Sequence, residues 1–208
     1  MKFFYSFLIL LIFKHSVAQK TSSMHGEYYL RGVMETASGF KLNADSTFEF
    51  FFSYGALDRY GSGTWKQANG NIIFNSSLQP QKDFALIKSD KASGDFVTIQ
   101  IIDQNEMILR YVHAVLVNGN VNIEKNTDDK GTIRVPKQPL DSISLLFTLC
   151  PDRFSAFQVT DKTHNYFEFR IEPWIAEVFF KNFSLKFENS KLTGRHPLLN
   201  GESFTYGK

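Results

Sequence analysis

The run Tyr54-Gly55-Ala56-Leu57-Asp58-Arg59-Tyr60-Gly61-Ser62-Gly63-Thr64-Trp65 is the densest concentration of side chains suited to recognising a ligand. Tyr54, Tyr60 and Trp65 supply rings, which give contact area at little entropic cost, and Asp58 and Arg59 add a carboxylate and a planar polar fork. A rim of this kind suits a sugar or a peptide chain. The competing assignment is architectural: Gly55 and Gly61 turn the chain, the rings fill a core, and Asp58 and Arg59 are solvated. Tyr54, Asp58, Arg59, Tyr60 and Trp65 are therefore the candidate binding residues.

Other reactive residue types do not form a local pattern. His25, His113, His164 and His196 show neither His-x-x-x-His nor His-Glu-x-x-His spacing, so none reads as a zinc ligand. Asp103, Asp128 and Asp129 are carboxylates of the kind that suits Ca²⁺, but they lack a complete loop pattern and read first as turn residues. Cys150, the only cysteine, ends an apolar stretch as Leu149-Cys150-Pro151 and reads as a small buried hydrophobe. The chain has no Gly-x-Ser-x-Gly elbow, phosphate loop or dinucleotide fingerprint. No catalytic residue, metal set or cofactor is expected, although distant residues can assemble a triad that spacing does not reveal.

The first 18 residues have the three parts of an export signal. Lys2 precedes an uncharged apolar run, Phe3 to Phe13, and Ser16-Val17-Ala18 places small residues at a cleavage site before Gln19. The apolar run is too short to cross a bilayer core of about 30 Å, so no stable membrane anchor is expected after cleavage. Removing the signal takes two of the 23 basic residues and none of the 21 acidic ones, which leaves 21 of each. A formally neutral chain without a Lys/Arg cluster gives no electrostatic reason to bind nucleic acid. The expected location is periplasmic or extracellular. A single thiol in that setting forms no internal disulfide, so packing must hold the fold. Of the 22 Phe, 18 remain after the signal to supply it.

Period-two alternation dominates the chain after residue 25 and predicts strands. Phe48, Phe50, Phe52 and Tyr54 alternate with Glu49, Phe51 and Ser53; Val97, Ile99 and Ile101 alternate with Thr98 and Gln100. The same holds for Ile143 to Leu149, Phe167 to Ile171 and Phe183 to Phe187. Asn69-Gly70 and Asn118-Gly119 predict tight hairpins, because Asn-Gly tolerates the positive φ angles they require. The fold class is all-β, with an N-terminal antiparallel sheet or small barrel over 26–90 and a C-terminal sandwich over 95–208. The polar stretch Lys88 to Asp95 reads first as the boundary, with a long hairpin loop inside one domain as the alternative. The aromatic-rich segment Tyr166 to Phe187 is expected to cover the second core, with a docking patch at Trp174 and Phe179-Phe180 as the alternative.

Two segments resemble known families. Val97-Thr98-Ile99-Gln100-Ile101-Ile102-Asp103, then Ala114, then Thr127-Asp128-Asp129-Lys130-Gly131-Thr132-Ile133-Arg134-Val135, resembles the carboxypeptidase regulatory-like (transthyretin-like) β-sandwich module of exported bacterial proteins. That resemblance implies a non-catalytic module and carries over no ligand residues. Ser38 to Leu42, Asp45 to Phe52 and Gly61-Ser62-Gly63-Thr64-Trp65 resemble small lipocalin-like exported domains. The expected function is an exported, non-enzymatic binding or interaction protein whose partner is a protein, a glycan or a small molecule. The alternatives are a small hydrolase of surface polymer built from dispersed Asp, Glu and His, and a lipocalin-like carrier with the Phe48 to Phe52 strand lining an apolar cavity.

Overall fold

A computed structural model describes residues 24–77 and 79–208; the expected export signal lies outside them. Five strands come first: β1 (Gly26–Arg31), β2 (Thr36–Leu42), β3 (Thr47–Tyr54), β4 (Leu57–Ala68) and β5 (Asn71–Asn75). Eight follow: β6 (Phe84–Asp90), β7 (Phe96–Ile102), β8 (Val112–Asn118), β9 (Val121–Asn126), β10 (Thr132–Pro136), β11 (Ser142–Phe147), β12 (Phe154–Gln158) and β13 (Tyr166–Ile171). The last three are β14 (Phe183–Glu188), β15 (Lys191–Gly194) and β16 (Phe204–Gly207).

The first five and the last three strands form a closed eight-stranded barrel, in the order β1-β2-β3-β4-β5-β14-β15-β16 and back to β1. Every neighbouring pair in it is antiparallel, an up-and-down meander. The other eight strands are inserted between β5 and β14 as two four-stranded sheets, β10-β7-β13-β6 and β12-β11-β8-β9. Pairing in them is antiparallel except between β7 and β13.

This arrangement corrects the expected division at Lys88 to Asp95. Strand β6 pairs with β13 in the sandwich through Lys88 to Asp90, so the polar stretch is the end of that strand and the loop after it, within one unit. Strands β14 to β16, placed by the sequence with the C-terminal unit, close the barrel instead. The aromatic segment is split accordingly: Phe167 and Phe169 are buried in the sandwich, Phe180 and Leu185 in the barrel. The cause is covalent order. An insertion separates partners that must pair, and no local residue pattern records such a closure.

Predicted local features recur in the geometry. Asn69 and Gly70, and Gly119, have the positive φ their hairpins need. Asp128 Oδ1 accepts hydrogen bonds from the Lys130 and Thr132 amides and closes the turn, with Gly131 at φ +73°. A Cβ on Gly131 would lie 2.6 Å from the Ile101 carbonyl oxygen, so glycine is required for close approach as well. Cys150 is buried in the sandwich core, and burial pushes its thiol pKa up.

Candidate functional site

Strand β4 divides the predicted cluster between its two faces. Arg59 and Trp65 point inward, with Arg59 only 4% exposed. The Arg59 guanidinium pairs with Asp152 in the β11–β12 connection and donates to the Ala176 carbonyl, which ties the barrel to the sandwich. Trp65 Nε1 donates to the Asn43 carbonyl at 3.1 Å inside the barrel. Neither can meet a ligand on the rim, which corrects their assignment. The reason is alternation: Arg59 and Trp65 share the phase of Gly61 and Gly63, the core side. Asp58 and Tyr60 occupy the outward phase and are exposed, and Tyr54 is exposed at the end of β3.

Strand register builds a groove around Tyr60 on the outer wall. Across β1 to β4, Tyr29 pairs with Gly39, Gly39 with Phe51, and Phe51 with Tyr60. This row puts three outward rings, 41%, 40% and 48% exposed, across the sheet. It spans three strand spacings, about 14 Å. One step toward the barrel's other end, Glu27 pairs with Lys41, Lys41 with Glu49, and Glu49 with Ser62. Between the rows lies a groove of about 550 Å³, one wall aromatic and the other charged.

The groove is fixed by local contacts. The Phe51 ring lies over Gly39, where a Cβ would come within 2.8 Å of that ring and 2.6 Å of the Tyr28 carbonyl oxygen. Phe51 meets Tyr29 edge to face, with centroids 6.1 Å apart. Tyr29 donates its hydroxyl hydrogen to Glu27, and Tyr60 donates to the Pro173 carbonyl at 3.1 Å. Lys41 bonds Glu49 at 2.9 Å. The hydrogen bonds from Lys41 and Asn43 hold the Glu49 carboxyl below the usual carboxylate range, opposite to the shift a general acid requires. Burial, with Glu177 nearby, raises the Tyr60 phenol.

The barrel interior is filled. Val178 and Phe180, from the segment linking β13 to β14, reach the inside against Gly61, where a Cβ would be 2.8 Å from the Phe180 ring. Phe180 packs against Phe48, Phe50 and Phe183 with ring centroids 5.2 to 5.4 Å apart. Backbone hydrogen bonds seat it: the Val178 amide to the Tyr60 carbonyl at 2.7 Å, and the Ser76 amide to the Phe180 carbonyl at 2.8 Å.

Two Ser–His contacts test the hydrolase alternative. Ser38 Oγ and His196 Nε2 are 3.1 Å apart within the barrel. The Leu198 and Leu199 amides both donate to His196 Nδ1, so Nε2 carries the proton and donates to Ser38, which donates to the Phe51 carbonyl. An imidazole in that tautomer cannot take the serine proton. Outside the barrel, Ser89 Oγ is 2.9 Å from His164 Nδ1, and His164 Nε2 is 3.4 Å from Asp161. Asp161 Oδ1 accepts from the Thr163 amide and hydroxyl in a tight turn, and Oδ2 is the oxygen that faces His164. The adjoining cavity of about 450 Å³ is lined by His164 but not by Ser89.

The acids considered for a cation have separate partners: Asp103 accepts from the Asn105 amide, Asp128 closes its turn, and Asp129 pairs with Arg110. Among the described residues no group of three His, Cys, Asp or Glu is placed to hold a metal.

Of the groove residues, sequence reasoning found Tyr60 and missed Tyr29, Phe51, Glu27, Lys41, Glu49 and Ser62. One signal was available: Phe51 is a large apolar residue in the otherwise polar phase of β3. No family model matches the chain, and neither a curated protein nor a solved structure matches it.

Proposed function

We propose that the protein is an exported, non-enzymatic binding protein that holds an extended saccharide chain in the groove on the outer wall of β1 to β4. The observation that carries this reading is the register that lines up Tyr29, Phe51 and Tyr60 as exposed rings across three strand spacings, facing a parallel row of hydrogen-bonding side chains. Sugar rings present C–H faces that pack on aromatic rings and hydroxyls that bond carboxylates, ammonium and hydroxyl groups, so the two walls match both kinds of surface. Exposed rings gathered in one place on a barrel with a full interior form a surface that an external ligand can cover.

Barrel closure favours a saccharide over a peptide. All four groove strands are paired on both sides, which leaves no free edge for a peptide backbone to extend. Recognition must run through side chains alone. The packed interior argues against the carrier reading, because Phe180 and its neighbours occupy the space that a ligand would need. The His196 tautomer, and the position of Ser89 outside the lining of the cavity beside His164, argue against the hydrolase reading.

Calorimetric titration of the purified chain with soluble oligosaccharides tests the proposal. Binding is expected, and Tyr60→Ala should weaken it at least about fivefold, the loss of one stacked ring. Absence of binding to any saccharide, or binding indifferent to Tyr29, Phe51 and Tyr60, would overturn it. The export component is checked separately by N-terminal sequencing of the mature protein, which should begin at Gln19.

A further inference from the structure

We infer that the saccharide held in this groove carries free amino groups. The inference rests on the saccharide reading above and concerns the charge of the same site.

Both walls favour a cation, for different physical reasons. The polar wall presents Glu27 and Glu49 with Lys41 between them, two carboxylates to one ammonium. Arg31, the next outward residue of β1 beyond Tyr29, donates to the Gly207 and Lys208 carbonyls. On the aromatic wall, the faces of Tyr29, Phe51 and Tyr60 carry the negative part of a ring quadrupole and attract ammonium groups. An ammonium borne on a sugar ring can sit over one of these rings while a carboxylate across the groove neutralises it. A uronic acid in the same place meets repulsion from both walls.

Lys41 limits this preference. Its Nζ lies 2.9 Å from Glu49 Oε1, so it competes with the ligand for that carboxylate. Removing the Lys41 charge should therefore improve binding of an amine-bearing chain. Replacements of Glu27 or Glu49 should do the reverse. All three side chains lie on the outer wall of the barrel, where substitutions seldom disturb folding.

The test is calorimetric titration at mildly acidic pH, where amines are charged, with hexamers of glucosamine, N-acetylglucosamine and galacturonic acid and with hexalysine. The glucosamine hexamer is expected to bind about fivefold more tightly than its N-acetylated form, with an advantage that shrinks as salt is added. Glu27→Gln and Glu49→Gln should each reduce that ratio toward one, and Lys41→Gln should increase it. Equal or tighter binding of the acetylated or uronate hexamer overturns the amine inference and leaves the saccharide reading standing. Failure of every saccharide to bind, or hexalysine binding at least as tightly as the glucosamine hexamer, overturns the saccharide reading itself. A ratio unchanged by all three substitutions places the amine elsewhere and also overturns the inference.

Discussion

The barrel and the sandwich are built from the same kind of strand but filled differently. The sandwich core is mainly aliphatic, with Val97, Ile99, Ile101, Leu116, Ile143 and Leu145 drawn from two facing sheets. The barrel core is mainly aromatic, with Tyr28, Phe40, Phe48, Phe50, Phe74 and Tyr206, and it takes in Phe180 from outside its strands. Enclosure explains the contrast. Two sheets packed about 10 Å apart leave a layer that branched aliphatic side chains from both faces can fill. An eight-stranded barrel closes around a wider space that side chains only just fill, so it needs rings, and here a further ring from the linking segment.

The largest test of this contrast is Phe180→Ala. The ring meets Phe48, Phe50 and Phe183 in the barrel interior. Its loss should cost about 3–5 kcal/mol by denaturant unfolding and leave a dry cavity able to take up a small apolar molecule such as benzene. A loss below about 1 kcal/mol would mean the strands alone fill the barrel, and the comparison with the sandwich would break.

Next in size is a pH effect confined to the barrel. Burial lowers the His196 imidazole from its usual value to about 4, and the side chain is only 5% exposed in the fold. The unfolded chain takes up this proton near pH 6.5 and the folded chain near 4, so between those values the unfolded state binds more protons. The stability contributed by neutral His196 is thus fully present above pH 6.5 and lost as pH falls toward 4. The loss amounts to about 3 kcal/mol. Chemical unfolding across this range should show the slope, and His196→Gln should flatten it. An unchanged slope in the variant would assign the acid sensitivity to other groups.

How much of this was legible in the sequence follows from the range of each interaction. Alternation and Asn-Gly turns are local, so the strands and the hairpins at Asn69-Gly70 and Asn118-Gly119 could be read directly. The closure of β16 on β1 and the entry of Phe180 into the barrel join residues more than a hundred positions apart. Only the folded chain brings those together. The site divides in the same way. Tyr60 lies in a conspicuous local cluster, whereas its partners Tyr29 and Phe51 become neighbours only through the register of four strands. Arg59 and Trp65 were misplaced because a glycine-rich strand, with Gly61 and Gly63 on its inner face, shows no clear alternation.

Phe50 and Phe51 offer a sharper, smaller test because they are adjacent and face opposite ways. Phe50 is buried among barrel rings; Phe51 covers Gly39 and is 40% exposed. Phe51→Ala should cost about 1 kcal/mol or less, the value of a cross-strand ring over a glycine, while abolishing most saccharide binding. Phe50→Ala should cost several times as much, about 3–5 kcal/mol. Equal costs would show that the outer row is structural, which would remove the main reason to regard it as a site.

The smallest effect separates ring volume from ring chemistry. Tyr28 and Tyr206 are both fully buried in the barrel. The Tyr28 hydroxyl donates to the Met24 carbonyl at 2.8 Å, whereas the buried Tyr206 hydroxyl finds no partner among the described residues. If these rings serve to fill the barrel, Tyr206→Phe should be neutral or stabilising by up to about 1 kcal/mol, because it removes an unpaired polar group and keeps the ring. Tyr28→Phe loses a hydrogen bond and should cost about 1 kcal/mol. Thermal unfolding of the two single variants compares them directly. A cost for Tyr206→Phe matching that of Tyr28→Phe would give the Tyr206 hydroxyl a role beyond packing, and filling alone would no longer explain why a tyrosine stands there.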